Sequence, residues 1–189
     1  MPKIKSEIAE MEAVLEVAKS MAVAARTAPK ARGEDAVETL IVWGEELDLL
    51  GKSMETHGKN TKNRNVFNRD ANCVRNSHAV LLVGLKKLGP KKVDKPLNCG
   101  GCGHGDCAGF LKTEKKRGQD FDGPVCLFQA FDLGIALSSA CSQAARFHVD
   151  NRIMYTTGGP ARKLGWMKSR VIIGISLSST GKNIYFDRG

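Results

Sequence analysis

The chain has 189 residues, of which 42% are hydrophobic and 26% are charged. These values are typical of a globular domain and exclude a disordered or collagen-like chain. The length predicts one main domain with room for an insertion. No apolar run reaches the roughly 20 residues of a membrane-spanning helix, and the segment MPKIKSEIAE lacks the apolar core of a signal peptide. We therefore expect a cytoplasmic protein without a membrane partner, whose thiols stay reduced.

The net charge is +9, and residues 151–189 hold seven Lys or Arg against one Asp. Such a basic segment can bind nucleic acid, a phosphorylated cofactor or an acidic protein, and it can equally be a solvated face. Aromatic residues make up 6% of the chain, which leaves few rings to stack on bases. Nucleic acid is therefore disfavoured as a partner.

Helix and strand patterns are mixed along the chain. Short runs rich in β-branched and aliphatic residues predict strands at 36–44, 77–85, 151–157 and 169–178. Apolar residues at helical spacing predict helices at 6–27, 45–58, 126–149 and 158–166. Ser6 is expected to cap the first helix and Pro29 to end it, whereas 126–149 is apolar on most faces and is expected to be a buried central helix. The mixture without strict alternation predicts a layered α+β fold.

Two segments break this order. The polar stretch 59–72 is predicted to be a loop or a short helix. The stretch KKLGPKKVDKP at 86–96 breaks regular structure and marks the entry to an inserted segment, which we place at 97–126.

Four cysteines in the inserted segment are the main functional signal. Cys99, Cys102 and Cys107 are spaced C-x2-C-x4-C, and Cys126 follows after eighteen residues. Such a set of three close thiolates and one distant one favours a 4Fe-4S cluster. The glycines among them allow positive φ and a close approach of backbone N–H groups to cluster sulfides. A four-cysteine zinc site and a redox pair formed by CGGC remain as alternatives.

Other residues near the motif have weaker signals. His104 lies between the proposed ligands and could replace a cysteine, although a neighbour that tunes the cluster or an exposed side chain fits as well. Cys73 and Cys141 lie outside the spacing, and Cys141 is expected to be a small core residue. The basic residues after the third cysteine could dock an acidic redox partner or offset the cluster's negative charge; they are Lys112, Lys115, Lys116 and Arg117.

Several longer stretches carry a resemblance to known families. The pattern C-x2-C-G-x3-C-x-x-F followed by a distant Cys resembles the 4Fe-4S motif of corrinoid iron-sulfur proteins. Across most of the chain, AARTAPKARGED, NCGGCGHGDC, DLGIALSSACSQAA, VDNRIMYTTGGPA and GISLSSTGKNIYFDR resemble an uncharacterised family of ferredoxin-domain proteins from anaerobic bacteria and archaea. This resemblance implies an iron-sulfur redox protein of an anaerobe.

The regions that flank the motif resemble nitroreductase-like flavoproteins. AARTAPKARG at 24–33 and DLGIALSSACSQAA at 132–145 are similar to two segments of that fold. The resemblance implies a nitroreductase-like α+β domain made of 1–96 and 127–189, a homodimer, and FMN at its interface. The phosphate of FMN would be held by basic residues near both ends of the chain, which here are Arg26, Lys30, Arg32, Lys182 and Arg188. Lys30 and Gly33 replace the family's Ser and Asn, and the family's N-terminal Arg-Ser-x-Arg segment is absent.

We therefore expect one 4Fe-4S cluster that transfers electrons to or from FMN or a partner protein. A flavin-dependent oxidoreductase would be the enzymatic form of this function. The first alternative is an electron carrier or cluster-binding module without flavin. The second is a zinc-stabilised, basic nucleic-acid-binding protein.

Overall fold

A four-stranded antiparallel sheet separates two layers of helices in the computed structural model, which describes residues 2–186. The helices are α1 (Ser6–Thr27), α2 (Glu45–Gly58), α3 (Arg64–Arg75), α4 (Cys107–Lys112), α5 (Leu127–Arg146) and α6 (Gly158–Lys163). The strands are β1 (Val37–Trp43), β2 (Ala79–Leu85), β3 (Lys116–Arg117), β4 (Asp122–Gly123), β5 (Asp150–Met154) and β6 (Val171–Ser178). The order in the main sheet is β1-β2-β6-β5, and β3 and β4 form a separate small hairpin.

Strand β2 lies in the middle of the molecule, and all seven of its residues are buried. Successive side chains of a strand point to opposite faces of the sheet. Leu81 and Val83 accordingly pack in a core with α1 and α5, whereas Val80 and Leu82 pack in a second core with α2 and α3. Because both faces are covered, the strand is a continuous apolar run rather than an alternating one.

Helices α1 and α5 pack closely against each other on one face of the sheet. Small residues on α5, among them Ala136, Ala140 and Ala144, are fully buried at this contact. The opposite face of α5 is open, because Phe131 is 51% exposed and Ile135 is 42% exposed. The expectation of a helix buried on most faces is therefore wrong. The apolar residues Phe131 and Ile135 lie on its outer face and not in the core.

The remaining elements follow the sequence predictions with local differences. Helix α1 has the predicted bounds, but Ser6 is its first helical residue, and the preceding Lys5 makes no side-chain cap. Most of the polar stretch 59–72 belongs to α3, a twelve-residue helix that buries Phe67 and Val74. The four predicted strands are those of the main sheet. No helix in residues 2–186 is long and apolar enough to cross a membrane.

Candidate functional site

The loop that carries the first cysteines is tightly coiled. Asn98, Gly100 and Gly103 all have positive φ, at 46°, 71° and 84°. The N–H of Gly103 donates to the carbonyl oxygen of Gly100 at 3.0 Å, which closes a turn that follows Cys99 and contains Cys102. Cys99 is exposed and Cys102 is half-buried. Glycine is needed at 100 and 103 because residues with a Cβ are strained in this conformation.

Two side-chain contacts join this loop to Cys107. Oδ1 of Asn98 accepts a hydrogen bond from the N–H of Cys107 at 3.0 Å. Oδ1 of Asp106 accepts from the N–H of Gly109 at 2.7 Å and so caps α4, which begins at Cys107. Asn98 adjoins Cys99 in the chain, so these contacts hold the first and third cysteines in one small region.

His104 contacts side chains in α4 and at its C-terminal end. Its ring packs edge-on against Phe110, with ring centroids 5.7 Å apart, and its Nε2 lies 3.2 Å from the hydroxyl of Thr113. His104 therefore braces α4 and the loop. These contacts do not indicate that His104 is a cluster ligand.

Cys126 is the buried member of the set, with 6% of its surface exposed. It occupies the N-cap position of α5, and its N–H donates to the carbonyl oxygen of Leu88 at 2.7 Å. A Cβ on Gly101 would lie 2.5 Å from Cδ2 of Leu127, so the loop rests directly on the first residue of α5. The backbone thus brings the cysteine loop and Cys126 to the same end of one helix.

The four cysteines fit a cluster by their chemistry and by their place in the fold. Thiolates are the usual ligands of iron-sulfur clusters, and the positive end of the α5 dipole favours the negative charge that four thiolates bring. The sulfur atoms are not gathered, however: within residues 2–186, no three His, Cys, Asp or Glu side chains lie close enough together to hold a metal ion. The ligand set therefore stays a prediction.

Cys73 and Cys141 lie in the cores, away from the loop. Cys73 is on α3 and belongs to the core that also contains Tyr185. Cys141 is half-buried on α5, and burial raises the pKa of its thiol to about 11. A thiol with such a pKa stays protonated at neutral pH and is a poor metal ligand.

The proposed flavin contacts Arg26 and Lys30 are engaged within the chain. The ammonium of Lys30 donates to three carbonyl oxygens at the end of α1, those of Ala25, Arg26 and Ala28, at 2.7 to 2.8 Å. Burial lowers the pKa of Lys30. Arg26 donates to the carbonyl oxygen of Val37 at 2.7 Å and pairs with the carboxylate of Asp35. Both cations thus close the connection from α1 to β1.

The other proposed flavin contacts are spread over the molecule. Arg32 has a φ of 59°, and its Nη2 donates to the carbonyl oxygen of Lys95 at 3.3 Å. Lys182 is exposed and follows the end of β6. Arg26 contacts the start of β1, which lies level with the start of β6 on the other side of β2. The eight residues of β6 separate these ends by about 23 Å. A single chain therefore does not bring Lys182 close to Arg26. Arg188 lies outside the described residues.

A buried ion pair, which the sequence analysis does not predict, joins the lysine-rich loop to α5. Nζ of Lys91 lies 2.6 Å from Oδ2 of Asp132, and both side chains are almost completely buried. Lys91 also donates to the carbonyl oxygen of Glu34 at 2.6 Å, and Oδ1 of Asp132 accepts from the N–H of Ala31 at 2.8 Å. One available signal was Asp132 itself, a lone carboxylate in an apolar helix, which needs a partner when buried.

The fold defines the chain as a nitroreductase-like α+β protein. Its structure is similar to that of a nitroreductase with bound FMN from Desulfitobacterium hafniense, with a TM-score of 0.55 over 96% of this chain and 82% of that chain. The identity is 13%, so this likeness concerns the fold alone.

The sequence comparisons give the family. Residues 122–188 match the family model described as "Uncharacterized protein containing a ferredoxin domain (DUF2148)". A protein of Archaeoglobus fulgidus, itself described as uncharacterized, is 45% identical over 168 residues, which are 89% of this chain and 88% of that protein. The chain belongs to this family of ferredoxin-domain proteins. The matched range contains Cys126 and ends before Gly189, while Cys99, Cys102 and Cys107 precede it.

Proposed function

We propose that the chain is a cytoplasmic redox protein of an anaerobe that holds one 4Fe-4S cluster on Cys99, Cys102, Cys107 and Cys126. Membership in a ferredoxin-domain family indicates an iron-sulfur redox role. The observation that carries the ligand assignment is the contact between Gly101 and Leu127, because it seats the cysteine loop beside Cys126. The region 97–126 would then be the cluster-binding insertion in the nitroreductase-like domain.

The chain's own residues would hold the cluster and tune it. A 4Fe-4S cluster supplies a centre that gains or loses one electron. Cys126 at the N-terminal end of the twenty-residue α5 places its sulfur where the helix dipole stabilises negative charge. The turn at Gly100 and Gly103 lets backbone N–H groups approach the cluster without a Cβ in between.

In this proposal, flavin binding depends on dimer formation. The two groups of basic residues lie at opposite ends of the sheet in one chain, so a phosphate held by both would need residues of two chains. The outer face of α5, with Phe131 and Ile135 exposed, offers an apolar surface for a second copy. We therefore propose a homodimer that binds FMN at its interface, where FMN would link one-electron and two-electron transfer.

A second candidate is an electron carrier without flavin, and a specific observation favours it. Arg26 and Lys30 already bind a carboxylate and backbone carbonyl oxygens, so neither cation is free for a phosphate. In that case the cluster would exchange single electrons with a partner protein alone.

The test is purification without oxygen, followed by assays of iron, sulfide, zinc and released flavin. We expect about four iron and four sulfide atoms per chain and an electron paramagnetic resonance signal after reduction with dithionite. The Cys107→Ala variant is expected to lose most of the cluster. The matched control is Cys141→Ala, which removes a protonated core thiol and is expected to keep the full iron content.

Each outcome bears on a separate part of the proposal. Zinc in place of iron and sulfide contradicts the redox function, and a full cluster in Cys107→Ala contradicts the ligand set. Released FMN at about one per chain supports the flavin-linked form. A full cluster without flavin selects the electron carrier.

A further inference from the structure

Two neighbouring depressions on the surface together have six Lys or Arg among the eleven residues that line them. One has a volume of about 300 Å³ and the other of about 390 Å³, and they share Arg117 and Arg162. Together they form a continuous surface on the β3–β4 hairpin, α6 and the start of β6, which we call the basic surface. Its cations are Lys115, Lys116, Arg117, Arg162, Lys163 and Arg170.

Most of this charge is not neutralised by ion pairs within residues 2–186. Two carboxylates belong to the hairpin: Asp122 pairs with Arg162 at 2.5 Å, and Asp120 lies 2.7 Å from Nε2 of the buried His57. The other five cations of the basic surface form no ion pair among the described residues. The surface therefore presents a concentrated positive field to solvent.

The hairpin that carries these charges is fixed to the body of the protein. Nη2 of Arg162, whose side chain is 12% exposed, donates to the carbonyl oxygen of Gly118 at 3.2 Å. Gln119 donates to the carbonyl oxygen of Asn60 at 2.5 Å, and the N–H of Asp122 donates to the carbonyl oxygen of Arg170 at 3.3 Å. A partner thus meets charges that are already positioned, which reduces the entropy lost on binding.

We propose that the basic surface docks an acidic redox protein that exchanges electrons with this chain. The hairpin lies between Cys107 and Cys126 in the sequence, and β4 ends three residues before Cys126. Three residues of chain span at most about 11 Å, so a partner seated on β4 would lie within about that distance of the backbone at Cys126. This inference rests on the proposed redox function for its electron step: one electron leaves the reduced partner and reduces this chain by one electron, with no bond or proton transferred.

The residues around the two depressions favour a protein over a nucleic acid. Among the described residues that line them there is no Phe, Tyr or Trp. Proteins that bind single strands stack bases on aromatic side chains, and this surface offers none. Opposite charges on two protein surfaces, in contrast, raise the association rate and orient the two proteins without a large apolar contact.

The experiment measures binding of an acidic bacterial ferredoxin to the anaerobically purified protein by calorimetry. Binding is measured at about 0.01 M salt and again at about 0.15 M, because the range of charge interactions falls from about 30 Å to about 8 Å between them. The test variant is Lys116→Glu with Arg117→Glu, two exposed positions on β3. The control is Lys3→Glu with Lys5→Glu, which changes the net charge equally at the exposed N-terminal segment.

We expect the wild type to bind more weakly at the higher salt concentration and the test variant to lose about tenfold or more in affinity at low salt. The control should stay within about twofold of the wild type. A Lys116→Gln, Arg117→Gln variant should fall in between, and unchanged circular dichroism shows that each variant is folded.

The outcomes separate this inference from the proposed function. Equal affinity of wild type and test variant, with full iron content, overturns the docking surface and leaves the cluster proposal standing. Loss of affinity in the test variant of a protein that contains no cluster supports the docking surface and contradicts the redox function. Tighter binding of a single-stranded oligonucleotide, lost in the same variant, overturns the choice of an acidic protein.

Discussion

At the scale of single residues, the ion pair of Lys91 and Asp132 connects three parts of the chain. Lys91 comes from the loop that leads to the cysteines, Asp132 lies on α5, and their backbone partners belong to Glu34 and Ala31. Both charged groups are removed from water, so each depends on the other for its stability. The pair therefore fixes the position of the loop relative to the helix that begins after Cys126.

Replacement of one partner should show this dependence. The Asp132→Asn variant keeps an oxygen for the N–H of Ala31 but leaves the ammonium of Lys91 buried without a counter-charge. We expect the free energy of unfolding to fall by about 3 to 5 kcal/mol, measured by urea denaturation. The double variant Lys91→Met, Asp132→Asn removes the stranded charge and should recover more than half of that loss. A single variant within about 0.5 kcal/mol of the wild type would contradict the role of the pair.

At the scale of elements, α6 lies unusually close to β6. A Cβ on Gly158 would lie 1.8 Å from the backbone oxygen of Ile172, and one on Gly159 would lie 2.8 Å from the ring of His57. Backbone atoms cannot move aside as the end of a long side chain can. Gly158 therefore permits the close packing of α6 on β6, and Gly159 permits the contact of α6 with α2. The same helix carries Arg162 of the basic surface.

The Gly158→Ala variant should be destabilised because its methyl group has no space. Overpacking of this kind costs about 1 to 3 kcal/mol, and the close backbone contact places this site at the upper end. Gly181→Ala is the matched control, since a Cβ there meets nothing within 4 Å and the effect should stay within about 0.5 kcal/mol. Thermal unfolding of both variants measures the difference. Equal melting temperatures would show that α6 can shift away from β6.

The same scale shows what the sequence could predict. The bounds of α1 and the C-terminal ends of β2 and β6 follow from local periodicity, because each element buries a stripe or a run that is visible in the sequence. Both strands begin two residues later than predicted. The outer face of α5 was misread, since an apolar residue in a core and one at an open surface have the same pattern. The cysteine spacing predicts one site, and the fold brings the loop and Cys126 to the same end of α5, while the ligand set stays a prediction. The contacts of Lys30 with carbonyl oxygens, in contrast, cannot be predicted from the residues around it in the sequence.

At the scale of the whole molecule, the outer face of α5 is the strongest indication of a second copy. Phe131 packs edge-on against Phe128, with ring centroids 5.9 Å apart. Ile135 follows one turn further along the same helix. A contiguous exposed patch of aromatic and aliphatic side chains is a candidate interface. A dimer through this face would place two cysteine loops, one at the start of each α5, within a single assembly.

The oligomeric state tests this arrangement directly. The wild type is expected to be a dimer by size-exclusion chromatography with light scattering, and the variant Phe131→Glu, Ile135→Glu a monomer, because two charges would be buried without partners. Leu49→Glu is the control: Leu49 is 46% exposed on α2, which packs on the other face of the sheet, so this variant should stay dimeric. If FMN binds between two chains, the monomeric variant should also lose flavin while its iron content is unchanged. A monomeric wild type that nevertheless retains FMN would contradict both the interface and the shared flavin site.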